Sequence, residues 1–98
     1  MEKGVPHYPL ATVKALLDAG KVRPTFSAVA GAAALELSDQ EIMAVVGALT
    51  SKDFYKSMTT HADHRVWQDV YRPTTDAGGV YLKLTVTDEV IIVSFKAR

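Results

Sequence analysis

The segment Val80-Tyr81-Leu82-Lys83-Leu84-Thr85-Val86-Thr87-Asp88-Glu89-Val90-Ile91-Ile92-Val93-Ser94-Phe95-Lys96 decides the fold class. Val80, Leu82, Leu84 and Val86 alternate with Tyr81, Lys83, Thr85 and Thr87, the period of a strand buried on one face. Asp88-Glu89 predicts a tight turn, and Val90 to Lys96 runs back. A two-residue loop pairs Thr87 with Val90 and fixes the register. Val86 then faces Ile91, Leu84 faces Val93 and Leu82 faces Phe95, an apolar face. The other face pairs Thr85 with Ile92, Lys83 with Ser94 and Tyr81 with Lys96.

Upstream lies a second expected hairpin, Phe54 to Thr60 and Val66 to Arg72, across the polar loop His61 to Arg65. That loop length sets Met58 opposite Gln68 and Lys56 opposite Val70. Pro73 to Gly79 connects the hairpins. The first half of the chain reads as helices. Leu10, Val13, Leu16 and Leu17 recur at helical spacing, and Gly20 is a natural stop. Lys21 to Pro24 is a connector with a few residues of strand. Thr25 or Ser27 caps a second helix running through Leu35, with Gly31 in its Ala-rich interior. Ser38 and Glu41 form a capping box for a third helix carrying Ile42, Val45, Val46 and Leu49. The expectation is an α+β domain spanning residues 1–98. Its antiparallel sheet comes from the C-terminal half and is packed by N-terminal helices.

Composition narrows the function. The 98 residues carry 11 Lys plus Arg and 11 Asp plus Glu, so bulk positive charge cannot drive nucleic-acid binding, although a local patch can. There is no cysteine, hence no disulfide, thiolate metal site or cysteine nucleophile. The longest apolar run, Ala28 to Leu35, is far short of the roughly 20 residues of a membrane span. Met1 to His7 has no signal-peptide character, so no membrane association and a cytoplasmic location are expected.

The polar sheet face carries the chemistry. Placing Gln68 beside Lys83 brings Lys56, Gln68, Tyr81, Lys83 and Lys96 onto one surface, suited to a sugar-phosphate ligand. Lys56 and Lys96 could hold a phosphate, and Gln68 a phosphate oxygen or base edge. A tyrosine among lysines can move a proton from a ribose 2′-hydroxyl. The same residue types also occur on ordinary solvent-facing strands. Trp67, Tyr55 and Tyr71 fall on the opposite face and are expected to pack rather than stack on bases. His61, Asp63 and His64 form a rival constellation for zinc or acid–base chemistry. They sit in a hairpin loop without further clustered ligands, so solvated histidines are expected, and neither metal nor cofactor.

The blocks Asp53-Phe54-Tyr55-Lys56-Ser57-Met58-Thr59-Thr60 and Trp67-Gln68-Asp69-Val70-Tyr71-Arg72-Pro73 resemble the motility quorum-sensing regulator (MqsR) family. So do Val80-Tyr81-Leu82-Lys83, Ile92-Val93-Ser94-Phe95-Lys96 and the opening Pro6-His7 through Val13-Lys14 to Gly20. The resemblance implies a RelE-like fold and a type II toxin. Its activity would be metal-free, ribosome-independent cleavage of mRNA at GCU-type triplets. The implied catalytic positions are Lys56, Gln68, Tyr81 and Lys96, with Met58 and Arg72 beside them; Lys83 joins as a substrate contact from the face assignment. The implied partner is an antitoxin with a zinc-binding domain and a helix-turn-helix domain, through which any DNA contact would be indirect. A non-catalytic regulator that tunes its partner's DNA binding is the alternative. The chain's neutrality and the acidic Asp88-Glu89 turn depart from the family's basic members.

Overall fold

A computed structural model describes residues 1–98. In chain order the elements are β1 (Glu2–Lys3), α1 (Leu10–Asp18), β2 (Val22–Pro24), α2 (Phe26–Ala33), α3 (Asp39–Gly47), a 3₁₀ turn (Ser51–Asp53), β3 (Phe54–Thr59), β4 (Trp67–Tyr71), β5 (Thr74–Thr75), β6 (Gly78–Val86) and β7 (Val90–Ala97). The sheet runs β1-β3-β4-β6-β7-β2, with β5 paired to β6. The α+β class is as expected, but two features of the sheet are not. β2 pairs parallel with β7, and β1 and β2 bring both sheet edges from the N-terminal half. The sheet is therefore mixed.

Local chemistry explains the helices. The Pro9 carbonyl accepts the first amides of α1, and Gly20 ends it at φ +74, a left-handed conformation that suits glycine. Thr25, rather than Ser27, caps α2: its Oγ1 accepts the Ala28 amide at 3.2 Å. The helix ends at Ala33, two residues before Leu35. Ser38 and Glu41 make the reciprocal capping box of α3, at 3.2 and 3.0 Å.

The helices cover one face of the sheet. Val13, Ala28, Ala32, Ile42, Val46 and Leu49 interlock with Tyr71, Val80, Leu82, Leu84, Val90, Ile92 and Phe95 to form the core. Gly31 lets α2 rest on β7, because a Cβ there would lie 1.8 Å from the Phe95 carbonyl oxygen.

The C-terminal hairpin corrects the expected register. Its loop has three residues, so Val86 pairs with Val90, Thr85 with Ile91 and Leu84 with Ile92. A bulge then leaves Val93 unpaired and restores Lys83 opposite Ser94, Leu82 opposite Phe95 and Tyr81 opposite Lys96. The Val93 carbonyl accepts the Thr25 hydroxyl at 2.9 Å, which ties the bulge to the start of α2. The upstream hairpin has its expected pairs, Met58 with Gln68 and Lys56 with Val70. Between the hairpins, Val70 rather than Gln68 lies beside Lys83. That slip is two residues, so it preserves which side chains share a face.

The N-terminal segment is docked through a buried acid. Asp69 is fully buried on the helix side, and its carboxylate oxygens accept the amides of His7 at 3.0 Å and Tyr8 at 2.9 Å. His7 stacks on Trp67, and Lys3 Nζ lies 4.1 Å above the same ring. β1 is thereby laid along β3, with Glu2 opposite Met58.

Candidate active site

Opposite the helices, the sheet presents an outer face without a covering layer. Strand register aligns Lys56, Val70, Lys83 and Ser94 in one row across four strands. Tyr81 and Lys96 form the next pair along β6 and β7. Neighbouring strands are about 4.8 Å apart, so these side chains converge on a single patch. Val70, only 3% exposed, makes its floor. The result is an open depression of about 250 Å³ lined by Tyr55, Lys56, Met58, Val70, Tyr81, Lys83 and Lys96. Of the residues expected from sequence, Lys56, Met58, Tyr81, Lys83 and Lys96 meet there; Gln68 and Arg72 lie outside its lining. A shallow cationic bowl with an apolar floor can seat a phosphate and part of a sugar while the rest of a strand lies across it.

Lys56 has a partner that sequence reading missed. The Glu2 carboxylate of β1 hydrogen-bonds and ion-pairs with its ammonium. This contact holds the Lys56 ammonium above the ordinary lysine range, with the Tyr55 and Tyr81 phenols adding in the same direction. Reciprocally, Lys56 holds the Glu2 carboxyl below the ordinary carboxylate range. The pairing therefore favours the charged form of Lys56. No local signal marks Glu2, because the contact depends on β1 adding to the edge of β3.

Tyr55 departs from expectation. Phe54 pairs with Tyr71 and Lys56 with Val70, leaving Tyr55 as the extra residue of a bulge. Phe54 turns inward against the Tyr71 ring, while Tyr55 stays outside beside Lys56, 44% exposed. The Arg72 guanidinium lies 4.0 Å from the centre of its ring. Strict alternation puts Tyr55 inward; a bulge is not visible in alternation. The other two aromatics do pack. Tyr71 is buried, its hydroxyl pushed up to about 12 by burial and the nearby Asp69 and Asp53 charges, and Trp67 is covered by His7 and Lys3.

Arg98 packs beside Gly79, outside the lining of the depression. A Cβ on Gly79 would lie 2.4 Å from an Arg98 guanidinium nitrogen. The glycine thus leaves room for Arg98 on the side of β6 that carries Tyr81, and Arg98 Nη2 reaches Thr74 Oγ1 at 3.4 Å.

The rival loop does not assemble a site. Asp63 is engaged by the Arg65 amide and guanidinium, which hold its carboxyl below the ordinary range. His61 and His64 belong to no cluster of three or more His, Cys, Asp or Glu side chains. The acidic turn lies at the far end of the C-terminal hairpin, roughly 20 Å along β6 from Tyr81 at ordinary strand rise. Its Glu89 is paired with Arg23 at 2.5 Å. Its field is screened before it reaches the depression.

Two comparisons bear on this geometry. Residues 5–97 match the family model described as "Motility quorum-sensing regulator, toxin of MqsA". The chain is also 52% identical to the "mRNA interferase toxin MqsR" of Escherichia coli (strain K12), over 100% of both chains. The family match runs unbroken through every strand of the outer face except β1, and the full-length relative extends the likeness across β1 as well. The chain belongs to the motility quorum-sensing regulator family of toxins.

Proposed function

We propose that this chain is the toxin of a type II toxin–antitoxin pair and an endoribonuclease that cleaves mRNA. One observation carries the reading: Lys56, Lys83 and Lys96 surround Tyr81 at an open depression, in a chain of zero net charge. Positive charge is concentrated where a phosphodiester would sit, which is what stabilising a pentacoordinate phosphorus requires. The curated relative's name as an mRNA interferase supports the same reaction class.

In the proposed reaction the ribose 2′-oxygen attacks the adjacent phosphorus. The new 2′-O–P bond forms as the P–O5′ bond breaks, giving a 2′,3′-cyclic phosphate and a 5′-hydroxyl. Lys56 and Lys96 stabilise charge on the non-bridging oxygens, Tyr81 moves the proton, and Lys83 holds substrate. Gln68, Met58 and Arg72 act from the margins on base or phosphate. The reaction proceeds without metal or ribosome, at GCU-type triplets, within one RelE-like domain spanning residues 1–98 in the cytoplasm. The partner is an antitoxin with a zinc-binding domain and a helix-turn-helix domain; the zinc and the DNA contact belong to it.

The test is single-turnover cleavage of a labelled RNA in EDTA by wild type and Tyr81→Phe. Wild type should cut at discrete sites, and the variant should lose at least about 100-fold with its melting temperature unchanged. Near-wild-type cleavage by Tyr81→Phe would remove that residue from the mechanism. Intact RNA with wild type, alongside tight antitoxin binding, would favour a purely regulatory role.

A further inference from the structure

We infer that Tyr55 and Arg72 form a nucleobase-stacking subsite, on which a base next to the scissile phosphate lies while that phosphate rests against Lys56. The inference builds on the RNA-cleaving reading and adds a binding element to it.

Three features point to a base. The first is the bulge, which gives up one ladder pairing and sets Tyr55 and Lys56, consecutive in sequence, on the same side of the sheet. An aromatic ring and a cation are thereby adjacent, with Lys56 Nζ 5.3 Å from the ring centre. Bases and phosphates alternate along a nucleic-acid strand, and a ring beside a cation matches that alternation.

Exposure is the second feature. Tyr55 is 44% exposed on the uncovered face of the sheet and is absent from the hydrophobic core, so it is not a core packing residue. It also lines the depression shared by Lys56, Tyr81, Lys83 and Lys96. The most exposed aromatic, Phe26, is on α2 in the helix layer and has no such surroundings. Trp67 has its ring occupied by His7 and Lys3.

The third feature is Arg72. Its guanidinium, 4.0 Å from the Tyr55 ring centre, gives the pair a second planar surface carrying positive charge. Its backbone is held by donation from the Arg72 amide to the Asp53 carbonyl at 2.7 Å. A polyanion with flat bases complements both properties, whereas an apolar protein segment would have to desolvate the surrounding lysines.

The experiment separates this subsite from the nuclease reading. A short single strand with a 2′-deoxy sugar at the cut carries 2-aminopurine at each position in turn and is titrated with the full chain. At one position next to the cut, fluorescence should quench on binding to wild type and not to Tyr55→Leu. Tyr55→Leu should weaken binding by about 10- to 100-fold and Tyr55→Phe by less than about 3-fold, since stacking needs the ring and not the hydroxyl. With cleavable RNA, the loss should fall on KM while kcat stays within a few-fold. An abasic nucleotide at the quenched position should weaken wild type and leave Tyr55→Leu unchanged. Equal binding by wild type and Tyr55→Leu, with RNA still cut, overturns the subsite and leaves the nuclease standing. Tyr55-dependent quenching without any cleavage does the reverse, and no binding by wild type overturns both.

Discussion

Glu2 and Lys56, 54 positions apart in the chain, form an ion pair at the rim of the depression that holds Tyr81. In the proposed reaction, a carboxylate in that place competes with the RNA phosphate for Lys56. A phosphate approaching Lys56 must displace Glu2, and the Lys56 charge is already partly neutralised before substrate arrives.

Glu2→Gln should therefore tighten RNA binding. KM for a short RNA should fall several-fold while kcat stays within about 3-fold. The salt dependence of log KM should steepen by about 0.7, the increment for one further phosphate contact on a single strand. KM measured from low to moderate salt checks this. An unchanged slope would mean that Glu2 and the phosphate do not compete.

The same pair sets a pH window. The Glu2 pKa is lowered on folding, so its contribution is present above the ordinary glutamate pKa near 4.3 and is lost as pH falls through its folded value. The Lys56 pKa is raised, so its contribution is present below the ordinary lysine pKa near 10.4 and is lost as pH rises through its folded value. The contribution of this pair to docking of β1 on β3, read as the difference between wild type and Glu2→Gln, should be constant between about pH 5 and 9 and fall away in stronger acid. Amide exchange at Thr59, whose N–H donates to the Met1 carbonyl, reports it directly.

Two aspartates should differ sharply. Asp69 is buried and accepts two amides, so Asp69→Ala should cost about 3 kcal/mol or more and release the N-terminal segment. Asp63 pairs with an Arg65 side chain that is 91% exposed, so Asp63→Ala should cost less than about 1 kcal/mol. Urea denaturation of both variants makes the comparison; equal midpoints would contradict the anchoring role of Asp69.

Gly31→Ala should destabilise despite the better helix propensity of alanine. Propensity favours alanine by about 1 kcal/mol. The added methyl, however, meets the Phe95 backbone oxygen at 1.8 Å, and backbone cannot rotate away as a side chain can. Overpacking of this kind costs about 1–3 kcal/mol or more, so the net melting temperature should fall. Gly79→Ala is the control, because the atoms it meets belong to the flexible Arg98 side chain.

What the sequence determined by itself was local and periodic. Alternation in Val80 to Val86 assigned the inner and outer faces, and the loop from His61 to Arg65 set Met58 against Gln68 and Lys56 against Val70. The capping box at Ser38 and Glu41 located α3. These features follow from backbone geometry and hydrogen bonds within a few residues, so a short window contains their cause. Even the wrong pairing of Gln68 with Lys83 left the outer face intact, because a two-residue slip returns every side chain to its side. Tertiary structure decided the rest. The bulges at Tyr55 and Val93, the addition of β1 and β2 to the sheet edges, and the approach of α2 at Gly31 are each set by partners far along the chain. Tyr55 turned outward because Phe54 filled the space against Tyr71, and Glu2 reached Lys56 because Asp69 anchored the segment behind it. Such contacts contribute free energy only once the chain has brought them together, and no periodicity along the sequence encodes them.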